Sequence, residues 1–153
     1  MQPKKTINYK TLFATYANIL LKSLVPCVVL FYFGKLVLKG FSDEIHTPNF
    51  QSLSIANIII SPIFFTILGT IVFVLLVLFT KNPQRNLRIA GYGFYLFMLP
   101  GPLGLENATT MDRLLLEIMH TIVAILFVET MIKAYPKIVA ETNTEIESKK
   151  TSM

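Results

Sequence analysis

Glu117 and His120 stand three residues apart in the stretch 112–133, DRLLLEIMHTIVAILFVETMIK. Positions i and i+3 of a helix share a face, so this carboxylate and imidazole can share one ligand or pass one proton. The stretch is long enough to cross a bilayer, where an ionisable group is costly and is therefore paired or functional. Two readings follow. In the first, Glu117 and His120 form a ligand or proton site in the outer third of a span. In the second, Arg113 neutralises Glu117 from one turn away, and His120 is a packed neutral imidazole bonded to a neighbouring backbone or hydroxyl group. A lone Glu-x-x-His is common by chance and Arg113 is adjacent, which favours the second. Di-iron carboxylate bundles use the same spacing but need two such copies and two further glutamates. One copy is present, so no metal is expected.

Glu129 raises the same question two turns further on. Lys133 follows it at i+4, a spacing that forms ion pairs at low cost. Lys22, inside the first apolar stretch, is the other candidate, because a Lys22–Glu129 pair across two antiparallel spans removes two unpaired charges at once. Lys35 matches the depth of Glu117 in the same way. The 13 residues from Lys22 to Lys35 leave them about 140° apart around a straight helix, so both pairs do not form without a kink. The loop residues Asp43, Glu44 and His46 match no metal-ligand spacing. The one cysteine, Cys27, reads as a small packed apolar residue. The sequence shows no phosphate-binding glycine loop, no nucleophile with its base and no second intramembrane histidine, so no cofactor is expected.

The elements that must position these residues follow from hydropathy. The chain has 153 residues, 53% of them hydrophobic and 15% charged, a composition of the membrane class. About 20 mostly apolar residues cross the hydrocarbon core. Four stretches qualify, at 12–38, 55–79, 89–105 and 112–133, followed by a tail at 134–153. They predict a single integral membrane domain: an all-α, up-down-up-down four-helix transmembrane bundle. Pro26 is expected to kink the first span, and the second contains no charged residue. Asn82–Pro83 breaks the chain before the third span, and PGPLG at 100–104 ends it. Tyr92 and Tyr95 are expected as interface anchors, with a place in a cavity wall as the alternative. Thr109 or Thr110 caps the fourth helix with Asp112 in its first turn, and Pro136 is expected to close it. The tail is expected to fray.

Charge sets the orientation. Lys4, Lys5, Lys10, Lys81, Arg85, Arg88, Lys133, Lys137, Lys149 and Lys150, ten of the 14 basic residues, gather at the chain ends and in the turn after the second span. The positive-inside bias then places both termini in the cytoplasm. The net charge of +5 is read as contact with anionic lipid head groups, not nucleic acid.

Met119–His120, early in an apolar helix that follows a short Thr-containing loop, resembles a family of small four-span bacterial membrane proteins of unknown function. The likeness covers residues 107–133 and implies a four-helix membrane fold in a bacterial plasma membrane, with no activity attached. The small multidrug-resistance transporters share the layout but carry an essential glutamate in the first span, where this chain has Lys22. The leading expectation is a non-catalytic multi-pass protein that acts through the lipid bilayer, another membrane protein or a homo-oligomer. The alternatives are a binder or enzyme for a lipophilic small molecule, with Glu117 and His120 between spans three and four, and a small proton-coupled transporter. A closed, dry bundle removes both alternatives. A cavity touching His120 favours the first of them.

Overall fold

The computed structural model describes residues 4–41 and 54–142; Asp43, Glu44 and His46 lie outside the described residues, as does the chain from 143 onward. Its elements are strand β1 (Lys4–Ile7), helices α1 (Tyr9–Leu36), α2 (Ile55–Phe79) and α3 (Pro83–Met98), a 3-10 turn at Gly101–Gly104, helix α4 (Thr110–Ile138) and strand β2 (Val139–Thr142).

Local chemistry sets the helix starts. The Asn8 side chain accepts the Thr11 N–H at 3.1 Å and opens α1. Ser54 donates its N–H and its hydroxyl to the Asn57 side-chain oxygen at 3.1 and 2.7 Å, holding the first turn of α2. Pro83 is the first residue of α3, where its fixed φ suits a helix and its missing N–H costs nothing. The third helix therefore begins six residues before the expected 89 and ends at Met98, ahead of the Pro-Gly-Pro sequence. Thr109 caps α4 together with Asp112. Pro136 does not close α4. It withholds a donor from the Ile132 carbonyl, and the Gln84 side-chain amide of α3 reaches that carbonyl instead, at 3.4 Å. The helix continues to Ile138, five residues into the stretch expected as a tail.

Hydrogen bonds show which ends meet. Asn8 N–H donates to the Ile138 carbonyl at 2.8 Å, and β1 pairs antiparallel with β2 from Lys4 opposite Thr142 to Ile7 opposite Val139. The Lys5 ammonium donates to the Thr80 carbonyl at 2.8 Å. These contacts define a terminal end of the bundle. At the opposite loop end, Phe41 N–H donates to Asp112 Oδ1 at 2.8 Å. The two-stranded ribbon is an addition to the expected all-α fold. Its strands are too short for periodicity to reveal and stand at opposite ends of the sequence.

The core has two clusters, and α4 contributes to both. Ile19, Phe73, Val77, Leu87, Val128 and Met131 pack towards the terminal end. Cys27, Phe31, Phe41, Leu105, Leu115 and Met119 pack towards the loop end. Glycines allow α4 to come close. A Cβ on Gly69 would lie 2.6 Å from the Phe127 ring, and one on Gly91 would strike Val128. The outside is apolar, with Phe13, Leu21, Ile60, Phe64, Leu78 and Phe97 all exposed. α1, α2 and α4 are each long and apolar enough to cross a membrane, which marks a membrane protein. α3, with 16 residues, is about 24 Å long against a hydrocarbon core of about 30 Å.

Candidate functional site

The partner of Glu129 comes from α3. Arg88 Nη2 lies 3.3 Å from Glu129 Oε2, and the Tyr92 hydroxyl donates to Oε1 at 3.0 Å. Arg88 and Tyr92 are i and i+4 on the face of α3 that packs against α4, a register fixed by the start at Pro83. Among the described residues the ion pair of Glu129 is made with neither Lys133 nor Lys22. Lys22 is exposed, about 20 Å along α1 from Tyr9 and one turn beyond exposed Asn18. The two sit on the face of α1 that carries Val25 and Val29, turned away from the bundle. The pair at Glu129 is itself half open, with Arg88 55% and Glu129 34% exposed. Glu129→Gln should therefore cost about 1 kcal/mol in a detergent melt, and Tyr92→Phe a similar amount. Lys133→Met and Lys22→Met should leave the melt unchanged; a loss in either that matches Glu129→Gln would restore the lysine pairing.

Glu117 and Arg113 do not form the expected i, i+4 pair. Arg113 Nη2 turns instead to the Leu105 carbonyl at 3.3 Å. Three buried side-chain atoms lack a hydrogen-bond partner among the described residues: Arg113 Nε and both carboxylate oxygens of Glu117. His120 finds a local partner. Its Nδ1 lies 2.7 Å from the Leu116 carbonyl one turn back, leaving Nε2 without a hydrogen bond among the described residues. Beside it, the Tyr95 and Thr121 hydroxyls are 2.8 Å apart, and Thr121 donates to the Glu117 carbonyl at 2.7 Å. The two tyrosines thus bond α3 to α4, where the sequence suggested interface anchors. An aromatic hydroxyl spaced i, i+3 from another on a short helix was the available signal, but it needed a partner face to have meaning.

His120 and Tyr95 face a cavity of about 1200 Å³ between α2, α3 and α4, open on the side where Ile60, Phe64 and Phe94 are exposed. Its lining runs from Ser54 to Val72 on α2, from Leu87 to Met98 on α3 and from Leu116 to Val128 on α4. Phe65, Phe94 and Phe127 make the wall apolar, and Asn57, Ser61, Tyr95 and His120 supply its polar points. α4 packs against α1 and α3 along its length but reaches α2 chiefly where Phe127 meets Gly69, which leaves space between α2 and α4. Glu117 is absent from this lining, so the cavity separates the two residues of the Glu-x-x-His motif. This geometry can hold an apolar molecule and hydrogen-bond its polar end.

The model of a family of unknown function, DUF6069, matches residues 10–136. The chain belongs to the DUF6069 family. The match takes in all four helices of this DUF6069 protein apart from the first residue of α1 and the last two of α4. Both strands of the terminal ribbon fall outside it. No curated protein and no solved structure matches the chain.

Proposed function

We propose that this DUF6069 protein binds a lipophilic small molecule between α2, α3 and α4, with His120 as the polar contact. The observation that carries this reading is the cavity of about 1200 Å³ with His120 in its wall. Ligand cavities of about 300–1,000 Å³ hold drug-sized molecules in mostly apolar walls with a few placed polar groups, and this one has that character on a larger scale. Proton-coupled transport has less support, because Glu129 is tied to Arg88 and Tyr92, and Glu117 stands behind the cavity wall. The protein acts by binding, as a single membrane domain in a bacterial plasma membrane, in contact with lipid and able to associate with other membrane proteins or with itself.

In this reading α3 is a fourth span, extended by the 3-10 turn at Gly101–Gly104, and both termini are cytoplasmic. The support is the basic residues of the terminal end, Lys10, Lys81, Arg85, Arg88 and Lys137 among them. Reporter fusions at positions 48 and 84 should read outside and inside respectively; either one reversed would defeat this orientation.

Ala90 and Ala124 both line the cavity. Purified in mild detergent, the wild-type protein should carry a lipophilic molecule detectable by mass spectrometry of the extract. Ala124→Phe and the double variant Ala90→Phe/Ala124→Phe, which push rings into the cavity from α4 and α3, should reduce it while still melting cooperatively. The same bound lipophiles in wild type and both variants would refute a cavity ligand.

A further inference from the structure

The hydrogen-bond donors on the α3–α4 wall of the cavity are already engaged. The Leu116 carbonyl can only accept, so the proton of His120 sits on Nδ1 and is donated at 2.7 Å. In the neutral imidazole, Nε2 then presents a lone pair. The second polar point follows the same logic. Thr121 has one hydroxyl proton, and it goes to the Glu117 carbonyl at 2.7 Å. The donor in the 2.8 Å contact between Tyr95 and Thr121 is therefore Tyr95, whose oxygen keeps its lone pairs. The α2 wall is the reverse. Asn57 Oδ1 accepts both the N–H and the hydroxyl of Ser54, so the amide group of Asn57 is left with its N–H donors.

A ligand group that reaches His120 or Tyr95 must donate, and one that reaches Asn57 must accept. A neutral hydroxyl does both. A ketone, aldehyde, ether or quinone oxygen offers nothing to His120 or Tyr95 and would leave both acceptors unpaired in an apolar site. An ammonium would bring a charge that no acid in the lining answers. We propose that the ligand is a long-chain lipophile ending in a neutral hydroxyl, either an aliphatic alcohol or a hydroquinone. This rests on the cavity reading above and adds the chemistry of the ligand's polar end.

The test uses the full-length protein in nanodiscs of zwitterionic phospholipid and two sets of labelled probes. The first is geranylgeraniol, its methyl ether and its aldehyde. The second is a hydroquinone and its quinone on one isoprenoid tail. The hydroxyl member should bind about tenfold more tightly than its partners, the worth of one well-placed hydrogen bond plus the avoided orphan acceptors. Preference within the first set assigns an alcohol, and preference within the second alone assigns a hydroquinone. His120→Leu should erase the preference, and Tyr95→Phe should reduce it while lowering the thermal melt no more than Tyr92→Phe does. If His120→Leu does not fold, the wild-type ranking and Tyr95→Phe decide. Equal binding of all members, or tighter binding of the carbonyl forms, overturns the hydroxyl inference and leaves the cavity reading intact. A preference that survives both substitutions also overturns it. Failure of every probe to bind overturns both.

Discussion

Asp112→Ala should lower the stability of the folded chain by about 3–5 kcal/mol, the largest single loss expected outside the apolar core. The side chain is 1% exposed, yet it is acidic and sits at the head of an apolar helix. It is tolerated because three donors converge on it. Phe41 N–H reaches Oδ1 at 2.8 Å, and the Thr109 N–H and hydroxyl reach Oδ2 at 2.9 and 2.7 Å. One carboxylate thereby caps α4 and fastens the segment after α1 to it. Alanine would leave the buried Phe41 amide without an acceptor, release the Thr109 amide and remove the cap, the first and last each costing about 1 kcal/mol or more. Asp112→Asn keeps one acceptor oxygen and should lose less. Gly40→Ala should damage the same junction from the other side, since its Cβ would strike Asp112 Oδ1. Equilibrium unfolding in detergent or bicelles measures all three. A loss below about 1 kcal/mol for the alanine variant would mean that the Phe41 contact is not made in the membrane.

Glu117→Met should act in the opposite sense and stabilise the chain by about 1–3 kcal/mol. Among the described residues both oxygens of Glu117 are buried without a donor, and the neighbouring Arg113 Nε is buried without an acceptor. Methionine has a similar length and removes the unsatisfied acceptors. Glu117→Gln should gain little, because it replaces one unpaired acceptor with unpaired donors. Binding in the cavity should survive Glu117→Met, since the carboxylate lies outside the lining. A destabilised methionine variant would show instead that Arg113 and Glu117 pair in the bilayer. In that case the second of the sequence-based readings of this motif applies.

Local rules were enough for part of this protein. Thr109 with Asp112 marks the start of α4 by chemistry confined to one turn, and 112–133 reads as one apolar helix because hydropathy and length need no partner, whereas the starts of α1 at Asn8 and of α3 at Pro83 were placed too late by hydropathy. The likeness to an uncharacterised membrane family was legible in the same stretch. Rotation was not. α1, α2 and α4 are apolar nearly all round, and a helix without a distinct stripe does not announce which face meets which neighbour. Arg88 and Tyr92 therefore could not be matched with Glu129 from spacing alone, and the nearer lysines looked equally suitable. The same uncertainty concealed the split within Glu117-x-x-His120, where a difference of about 60° around the helix puts one residue in a cavity wall and the other behind it.

The sequence by itself determined that the chain is helical and membrane-embedded, where α4 begins, and that Glu117, His120 and Glu129 are titratable groups which the apolar body of its fourth helix must accommodate. Each of these follows from interactions between residues within about one helical turn or from summed hydropathy. Tertiary structure alone decided the rest. It gave Glu129 to α3, turned Lys22 outward, carried α4 past Pro136 by way of Gln84, joined residues 4–7 to 139–142 and left an apolar cavity beside His120. All of these depend on groups far apart in the chain. What sets them is how closely helices can approach at Gly69 and Gly91, a packing property that a one-dimensional pattern does not carry.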